Sequence, residues 1–593
     1  MSSLGQVVSA VRAYRRYVQE QVRRVRREPA FAGQVMSRWA EVRAQIGTTR
    51  TPTGLELPRL ALPPYDEPGE ILRYLLEGGL PGEFPFTAAA YREQYLEPGE
   101  AIQQNNHPAR AVPPEEPTRL FAGLGLPEDT NERFHYLSRN QRSKRLSTAF
   151  DGPTLYGVGA GADGVFGKIG EGGVAADTVD DMERLYAGFN LDQPQVSVSM
   201  TISGPAPILL AMYVAAAKRR FGDGVLTQLR GTIQADVLKE VQAQNELVFP
   251  IEPSLRFLAD MVDFCARTMP RWYPISISGY HIAEAGATPV QQAAYTLSNG
   301  FAYVEYFQNR GMEVNAFGPR LSFFLDCALD VEYVALARVC RKVWAIGMRD
   351  AFNADRRAQL LKLHTQTSGR SLIAADWKNN LTRTAIELLL ACMNATNSCH
   401  SNAADEPFTT PGEEYARYAA HAQAILLEES GVFRHMMNTL PGSPGMRVIG
   451  EAVEEAVLEE FETIEEQGGV LGAVERRYQR SQIQASAYTL ERQIHDGERP
   501  LIGQNRYRNG EAVWPDHAMV RTPAAKKQLH LDRLHDFEKR HAAESERCLD
   551  QLSQAVDKNA NVFAELINTV EHCSLGQITR RLCEQVGRFR PLV

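Results

Sequence analysis

The stretch VSVSMTISGP, residues 196–205, decides the fold. Side chains alternate across a strand with a period of two, so Ser197, Ser199, Thr201 and Ser203 share one face while Val196, Val198, Met200 and Ile202 share the other. The run ISISGY, residues 275–280, repeats the device, with Ser276, Ser278 and Tyr280 alternating with Ile275, Ile277 and Gly279. Such strands fit either a half-exposed antiparallel sheet with its serines in water or a barrel. An ordinary (β/α)8 barrel fills its lumen with layers of Val, Ile and Leu. If the apolar faces here turn outward to helices, small hydroxyls turn inward, and the axis is open to a thin, hydrogen-bonding ligand with the shape of pantetheine. The run ends, Gly204-Pro205 and Gly279-Tyr280-His281, look more like active-site loops of a barrel than hairpin turns.

Outward from these strands, residues 118–445 continue as short apolar or alternating runs with helical stretches between them, the pattern of βαβ units. The expected fold class is therefore α/β, a (β/α)8 TIM barrel over residues 111–445. Residues 1–110 form an N-terminal amphipathic helix and wrapping arm in this scheme, and 446–593 a C-terminal helical docking segment. Val7, Val11, Tyr14, Val18, Val22 and Val25 recur at helical spacing, with Arg12, Arg15, Arg16, Arg23, Arg24, Arg26 and Arg27 between them. That pattern predicts a helix with a basic outer face that packs on its own chain or on a partner. Residues 50–117, rich in Pro and Gly, predict an extended arm. After residue 446, GEAVEEAVLEEFETIEE, LHLDRLHDFEKRHAAESERCLDQL and the stripe Val562, Phe563, Leu566, Ile567 and Val570 predict helices that dock on the barrel and on a partner.

Bulk properties exclude several classes. The 593 residues are 44% hydrophobic and 23% charged, a globular balance. No run of about eighteen apolar residues offers a membrane span, and the start lacks an apolar core followed by a small-residue cleavage site. A cytoplasmic protein without membrane contact is expected. A net charge of −8 gives no overall footprint for nucleic acid. Eight cysteines without a Cys-x-x-Cys pair argue against a zinc ribbon, a redox dithiol or a disulfide framework. The segment GADGVFGKIG, residues 161–170, fails as a phosphate loop, because Ala162 stands where the first glycine belongs and Ile169 where a hydroxyl must meet magnesium. The thirteen histidines form no cluster at metal-ligand spacing, so no protein-bound metal is expected.

Ten segments in one order carry a resemblance that periodicity does not supply: RLFAGLG, RLSTAFD, VSVSMTISGPAPILLAMY, LRGTIQADVLKE, FPIEPSLR, MPRWYPISISGYHIAEAGAT, PRLSFFLD, LKLHTQTSGRSL, NNLTRTAIE and RPLIGQNRYR. Over residues 117–510 the chain resembles the large, substrate-binding subunit of the methylmalonyl-CoA mutase family. The resemblance implies a (β/α)8 barrel with acyl-CoA threaded along its axis and adenosylcobalamin as cofactor. That family marks its cobalamin domain with Asp-x-His-x-x-Gly. None of the thirteen histidines has Asp two positions before it, and Asp532 with His535 is one residue too far apart. A small cobalamin-binding subunit is therefore expected to supply the cobalt ligand, in a heteromer that dimerises.

The resemblance also implies roles. His281 corresponds to the histidine that hydrogen-bonds the thioester carbonyl, stabilising charge on that oxygen as it develops, and Gln234 to a glutamine near the same carbonyl. Phe121 would pack between cofactor and acyl group, and Tyr280 would line the same cavity. Arg119, Ser147, Arg320 and Ser322 match positions that hold the CoA portion, while His364 and Gln366 match the adenosyl side. The arginine that clamps a substrate carboxylate in methylmalonyl-CoA mutase falls on Gln244, and its Tyr-Ala-Gly reads Phe121-Ala122-Gly123. A carboxylate without its cation carries a large desolvation penalty. The chain thus resembles the isobutyryl-CoA branch, which implies radical rearrangement of isobutyryl-CoA to n-butyryl-CoA in a cation-free chamber. The alternatives are a sister mutase acting on pivalyl-CoA, isovaleryl-CoA or 2-hydroxyisobutyryl-CoA, and a non-catalytic barrel subunit. Two departures from the family pattern are Cys399 in SCHSNAADEP, where relatives carry leucine, and MMNTLPGSPGM in place of an Asp-Pro-x-x-Gly-Ser turn.

Overall fold

In the computed structural model, which describes residues 3–92, 119–435, 438, 440, 442–508 and 521–591, the chain is mixed α/β. Its strands are β1 (Thr48–Arg50), β2 (Glu56–Pro58), β3 (Leu120–Ala122), β4 (Lys144–Ala149), β5 (Val196–Thr201), β6 (Gly231–Ile233), β7 (Trp272–Tyr273), β8 (Ile275–Ser278), β9 (Leu321–Cys327), β10 (Lys362–Thr367) and β11 (Ser398–His400). The first two form a small antiparallel hairpin. The others form two wholly parallel sheets, β3-β4-β5-β6-β7 and β8-β9-β10-β11, in chain order. Parallel neighbours require crossovers. These are supplied by Pro127–Ser138, Val179–Leu185, Ala206–Phe221, Ile251–Thr268, Pro289–Asn309, Leu336–Asp350 and Asn380–Met393. The parallel ladders rule out the half-exposed antiparallel sheet.

Pro274 alone separates β7 from β8, and a residue without an N–H interrupts a ladder at such a point. Single backbone hydrogen bonds reach across both gaps between the sheets. Ser276 N–H donates to the Gln234 carbonyl at 2.9 Å, and Arg119 N–H to the Cys399 carbonyl at 3.2 Å.

The apolar faces turn as the alternation predicts. Leu146, Val198, Met200, Ile275, Ile277, Phe323 and Leu325 are buried in the main core. Helix Ala206–Phe221 is buried all round from Ala206 to Ala217, because helix Val562–Thr569 of the C-terminal segment packs against it. The N-terminal helix Ser3–Arg27 docks on its own chain. Val7, Val11, Val18 and Val22 enter the main core, Arg12 pairs with Glu462 at 2.5 Å, and Arg15 pairs with Glu454 at 2.6 Å on helix Pro444–Glu466. The arm departs from the extended form expected of it: it folds into the hairpin and then helix Pro68–Leu76, which starts on a proline with Glu67 as its cap. Residues 93–118, which include the expected boundary at 110/111, lie outside the described residues, as do several of residues 436–446. No helix among the described residues is long and apolar enough to cross a membrane.

Candidate active site

Register aligns the inward positions of neighbouring strands into layers. Phe121, Ser147, Ser199 and Thr232 are successive partners across β3 to β6. Ser276 pairs with Ser322, which pairs with Lys362; Ser278 pairs with Phe324, which pairs with His364, which pairs with Ser398. No large aliphatic side chain occupies these positions. Phe121, Thr232, His364 and His400 remain partly exposed although the opposite faces of their strands are buried, as befits side chains that line a hollow. Serines brace the walls: Ser322 Oγ donates to the Ile275 carbonyl at 2.9 Å.

Parallel pairing places all strand starts at one end. Arg119, Lys144, Arg145, Arg230, Arg320 and Lys362 lie just before or at those starts. Arg119 reaches Ser398 Oγ at 3.5 Å, Arg320 donates to the Pro270 carbonyl, and Lys362 Nζ sits 3.8 Å over the Tyr273 ring. Arg320 is thus partly engaged with backbone at the strand-start mouth, far along the strands from His281. A strand of six residues spans about 20 Å.

His281, Gln234 and Tyr280 meet at the opposite end. Gly279 makes this possible: a β-carbon there would lie 2.2 Å from Thr296 Oγ1, so only glycine lets β8 turn straight into helix Tyr280–Glu284 against its neighbour. His281 Nδ1 lies 3.1 Å from Gln234 Nε2 and 2.6 Å from Ser278 Oγ. An amide N–H at Nδ1 makes that nitrogen an acceptor, which leaves Nε2 carrying the proton as a donor. Burial, and then the Lys239 ammonium, push the imidazole well below its usual range, so it is neutral at physiological pH. Ala235 holds φ at 50°, a left-handed conformation that costs a residue with a β-carbon about 1–2 kcal/mol. It lies between Gln234 and the buried Asp236. Asp236 accepts from Tyr303 OH at 2.6 Å and Ser278 N–H at 2.7 Å, and burial pushes its pKa up to about 6.

Aromatic rings pack beside His281. Tyr280 stacks on Phe324 with centroids 4.8 Å apart, and Phe324 lies 4.9 Å from His364. Gln366 Nε2 donates to Tyr280 OH at 3.0 Å and to Asn402 Oδ1 at 2.8 Å. His364 Nδ1 lies 2.8 Å from Ser398 Oγ, and burial, then Arg119 and His400, depress its pKa. Phe121 packs 5.3 Å from the His400 ring, whose pKa burial brings down to about 4. Tyr280, Gln366 and Asn402 form a row of neutral donors and acceptors at the strand ends, suited to amide arms and ribose hydroxyls. Among the described residues no group of three His, Cys, Asp or Glu could hold a metal ion.

Gln244 ends the five-residue π-turn Glu240–Gln244, and its Oε1 accepts from Lys239 Nζ. Gln244, for which the resemblance implies cation-free surroundings, therefore lies beside an ammonium. Lys239 is 1% exposed and ion-paired with Glu240, itself 0% exposed, so the cation is present but neutralised. Lys239, Glu240, Phe324 and His400 were not singled out by sequence reasoning. Only the last two sit on strand positions in phase with residues that were. A cavity of about 640 Å³ elsewhere, between the arm and helix Pro444–Glu466, is lined by none of the candidate residues.

Comparison with known proteins follows the same line. The chain is 42% identical over 569 residues to a protein named fused isobutyryl-CoA mutase from Geobacillus kaustophilus, covering 92% of this chain and 51% of that one. It is 43% identical over 575 residues to a fused isobutyryl-CoA mutase from Paraburkholderia xenovorans, covering 93% and 44%. It is 36% identical over 517 residues to a 2-hydroxyisobutanoyl-CoA mutase large subunit from Aquincola tertiaricarbonis, covering 86% and 88%. The chain spans about half the length of the fused relatives it matches. This overturns the expectation of a separate small cobalamin-binding subunit in a dimerised heteromer, because these more similar relatives are named as fusions. The family model described as methylmalonyl-CoA mutase matches residues 70–588, so the chain belongs to the methylmalonyl-CoA mutase family of isomerases.

Proposed function

We propose that this chain forms the acyl-CoA-binding barrel of an adenosylcobalamin-dependent mutase that interconverts isobutyryl-CoA and n-butyryl-CoA. The observation that carries this reading is the neutral chamber: His281 held as an uncharged donor by Gln234 and Ser278, with Gln244 where a carboxylate-binding arginine stands in methylmalonyl-CoA mutase. In this reading the two parallel sheets close into one eight-position barrel over residues 111–445, with β7 and β8 as one interrupted strand, flanked by 1–110 and 446–593. Arg119 and Arg320 at the strand-start mouth take the phosphates of CoA, and Ser147 and Ser322 accompany the pantetheine arm. Its thioester then arrives beside His281 and Gln234.

There His281 Nε2–H and the second Gln234 N–H donate to the thioester oxygen, stabilising charge on it as the carbonyl carbon migrates. A histidine kept neutral polarises without handing over its proton. Phe121 and Tyr280 shape the acyl pocket and exclude water. His364, Gln366 and Asn402 face the adenosyl side of the cofactor, which when bound supplies the radical that takes a methyl hydrogen. Sister substrates such as pivalyl-CoA, isovaleryl-CoA or 2-hydroxyisobutyryl-CoA differ by a methyl or hydroxyl, worth about 1–3 kcal/mol of discrimination. A barrel without activity would have no call on His281 and Gln234 as a hydrogen-bonded pair.

The test mixes the full-length protein with adenosylcobalamin and offers isobutyryl-, pivalyl- and methylmalonyl-CoA, following product acyl-CoAs by chromatography. Isobutyryl-CoA is expected to isomerise, and His281→Ala to cut kcat about 100-fold or more. Turnover of methylmalonyl-CoA alone would refute the reading.

A further inference from the structure

We propose that Arg480, on a helix outside the barrel, is a positioning residue that sets acyl-group selectivity by clamping the π-turn that carries Gln244; this rests on the function proposed above. Helix Tyr478–His495 belongs to the C-terminal segment. Arg480 Nη2 and Nε both donate to the Val241 carbonyl, at 2.8 and 3.1 Å, and Nη2 also donates to Asn245 Oδ1 at 2.6 Å. A π-turn leaves carbonyls without their usual helical donors, and these turns gather at functional sites. Here a guanidinium fork supplies the missing donors and fixes Asn245, whose φ of 67° ends the turn.

The other side of the turn is held as firmly. Gln242 and Asn299 exchange two side-chain amide hydrogen bonds, both 2.9 Å. The same outer helix also touches the second wall of the acyl chamber. A β-carbon at Gly286, just past the helix that bears His281, would fall 2.3 Å from Ala487 Cβ. Ser486 donates to Gln291 Oε1 at 2.9 Å. One helix thereby spans the Gln244 turn and the His281 helix and fixes their separation, which on the proposed function sets the width of the acyl pocket. Arg480 is its tie to the Gln244 side.

Arg480→Lys keeps the charge but loses the fork. Asn245→Gly keeps the left-handed backbone at no steric cost and removes the side-chain oxygen that Arg480 holds. Dissociation constants for isobutyryl-CoA and pivalyl-CoA, which differ by one methyl, are measured by calorimetry on the chain with each variant, beside thermal melts. Their ratio cancels the shared CoA contribution. Both variants should melt near the parent and narrow the ratio about fivefold or more, as a loosened pocket admits the extra methyl. An unchanged ratio, whether or not both ligands weaken together, overturns the proposal by leaving Arg480 a merely structural role. Failure of the parent chain to bind either acyl-CoA would instead sink the proposed function itself.

Discussion

Glu240→Gln isolates the charge balance around Gln244. Glu240 and Lys239 are both buried and paired, Lys239 Nζ also touches Gln244, and Glu240 Oε2 accepts from the Glu246 N–H at 2.8 Å. Glutamine keeps an acceptor for that N–H, so the substitution removes charge and little else. Breaking a buried pair by neutralising one partner costs about 3–5 kcal/mol, and the thermal midpoint should fall by several degrees. On the proposed function, the stranded ammonium lies at the end of the site that takes the acyl group. At an effective dielectric of about 20 and a separation of about 4 Å, it would attract a carboxylate by about 4 kcal/mol. Discounting most of that for solvent and imperfect reach leaves about 1.4 kcal/mol, a tenfold shift. Calorimetric binding should therefore show the preference for isobutyryl-CoA over methylmalonyl-CoA shrinking about tenfold. The double replacement Lys239→Met with Glu240→Leu should restore the preference and most of the stability. An E240Q variant with parental melting and parental discrimination would refute the claim that this pair neutralises the chamber.

The paired change Phe121→Tyr with Gln244→Arg brings a second cation beside Lys239 and a hydroxyl beside His400; isobutyryl-CoA turnover by the full-length protein should fall about tenfold or more, and unchanged kinetics would remove both residues from the pocket. A further prediction concerns His530, whose Nε2 lies 2.8 Å from Asp177 Oδ2. Burial opposes its charge, but Asp181, Asp177 and Asp151 override burial and raise its pKa from 6.5 to about 9. A raised folded pKa gives stability that is complete below about pH 6.5 and lost as pH rises through about 9, on the order of 3 kcal/mol. The midpoint of thermal unfolding should decline across that window and flatten in His530→Gln; parallel curves for the two would refute it.

What the sequence disclosed followed from simple periods. Ser197, Ser199, Ser276 and Ser278 share faces with period two whatever surrounds them, so the hydroxyl lining was legible. Helix Ser3–Arg27 was legible from its valine stripe. Lys239 was not, because residues five apart fall on opposite sides of an α-helix, and only the wider π-turn brings Lys239 Nζ onto Gln244 Oε1. Phe324 was hidden by Phe323 beside it, since two adjacent phenylalanines do not say which faces in. The arm misled for a related reason: Pro68 reads as a breaker but sits at the first turn of a helix, where its missing N–H costs nothing.

The distribution of charge along the strands bears on the proposal of an uncharged acyl substrate. Cations gather at the strand starts, at Arg119, Lys144, Arg320 and Lys362, while Ser147, Ser199 and Ser278 farther along the strands carry no formal charge. Past the end of β8, burial keeps His281 neutral, and Lys239 is paired with Glu240. On the proposed function, an uncharged branched acyl group beside His281 meets a Lys239 already paired with Glu240, whereas a carboxylate would be stripped of water beside a cation already engaged, a penalty of several kcal/mol. The proposed selectivity against charged acyl groups thus rests on cancellation within the wall as much as on Gln244 standing in place of an arginine. For that reason Gln244 cannot be understood apart from Lys239 and Glu240, five and four residues before it.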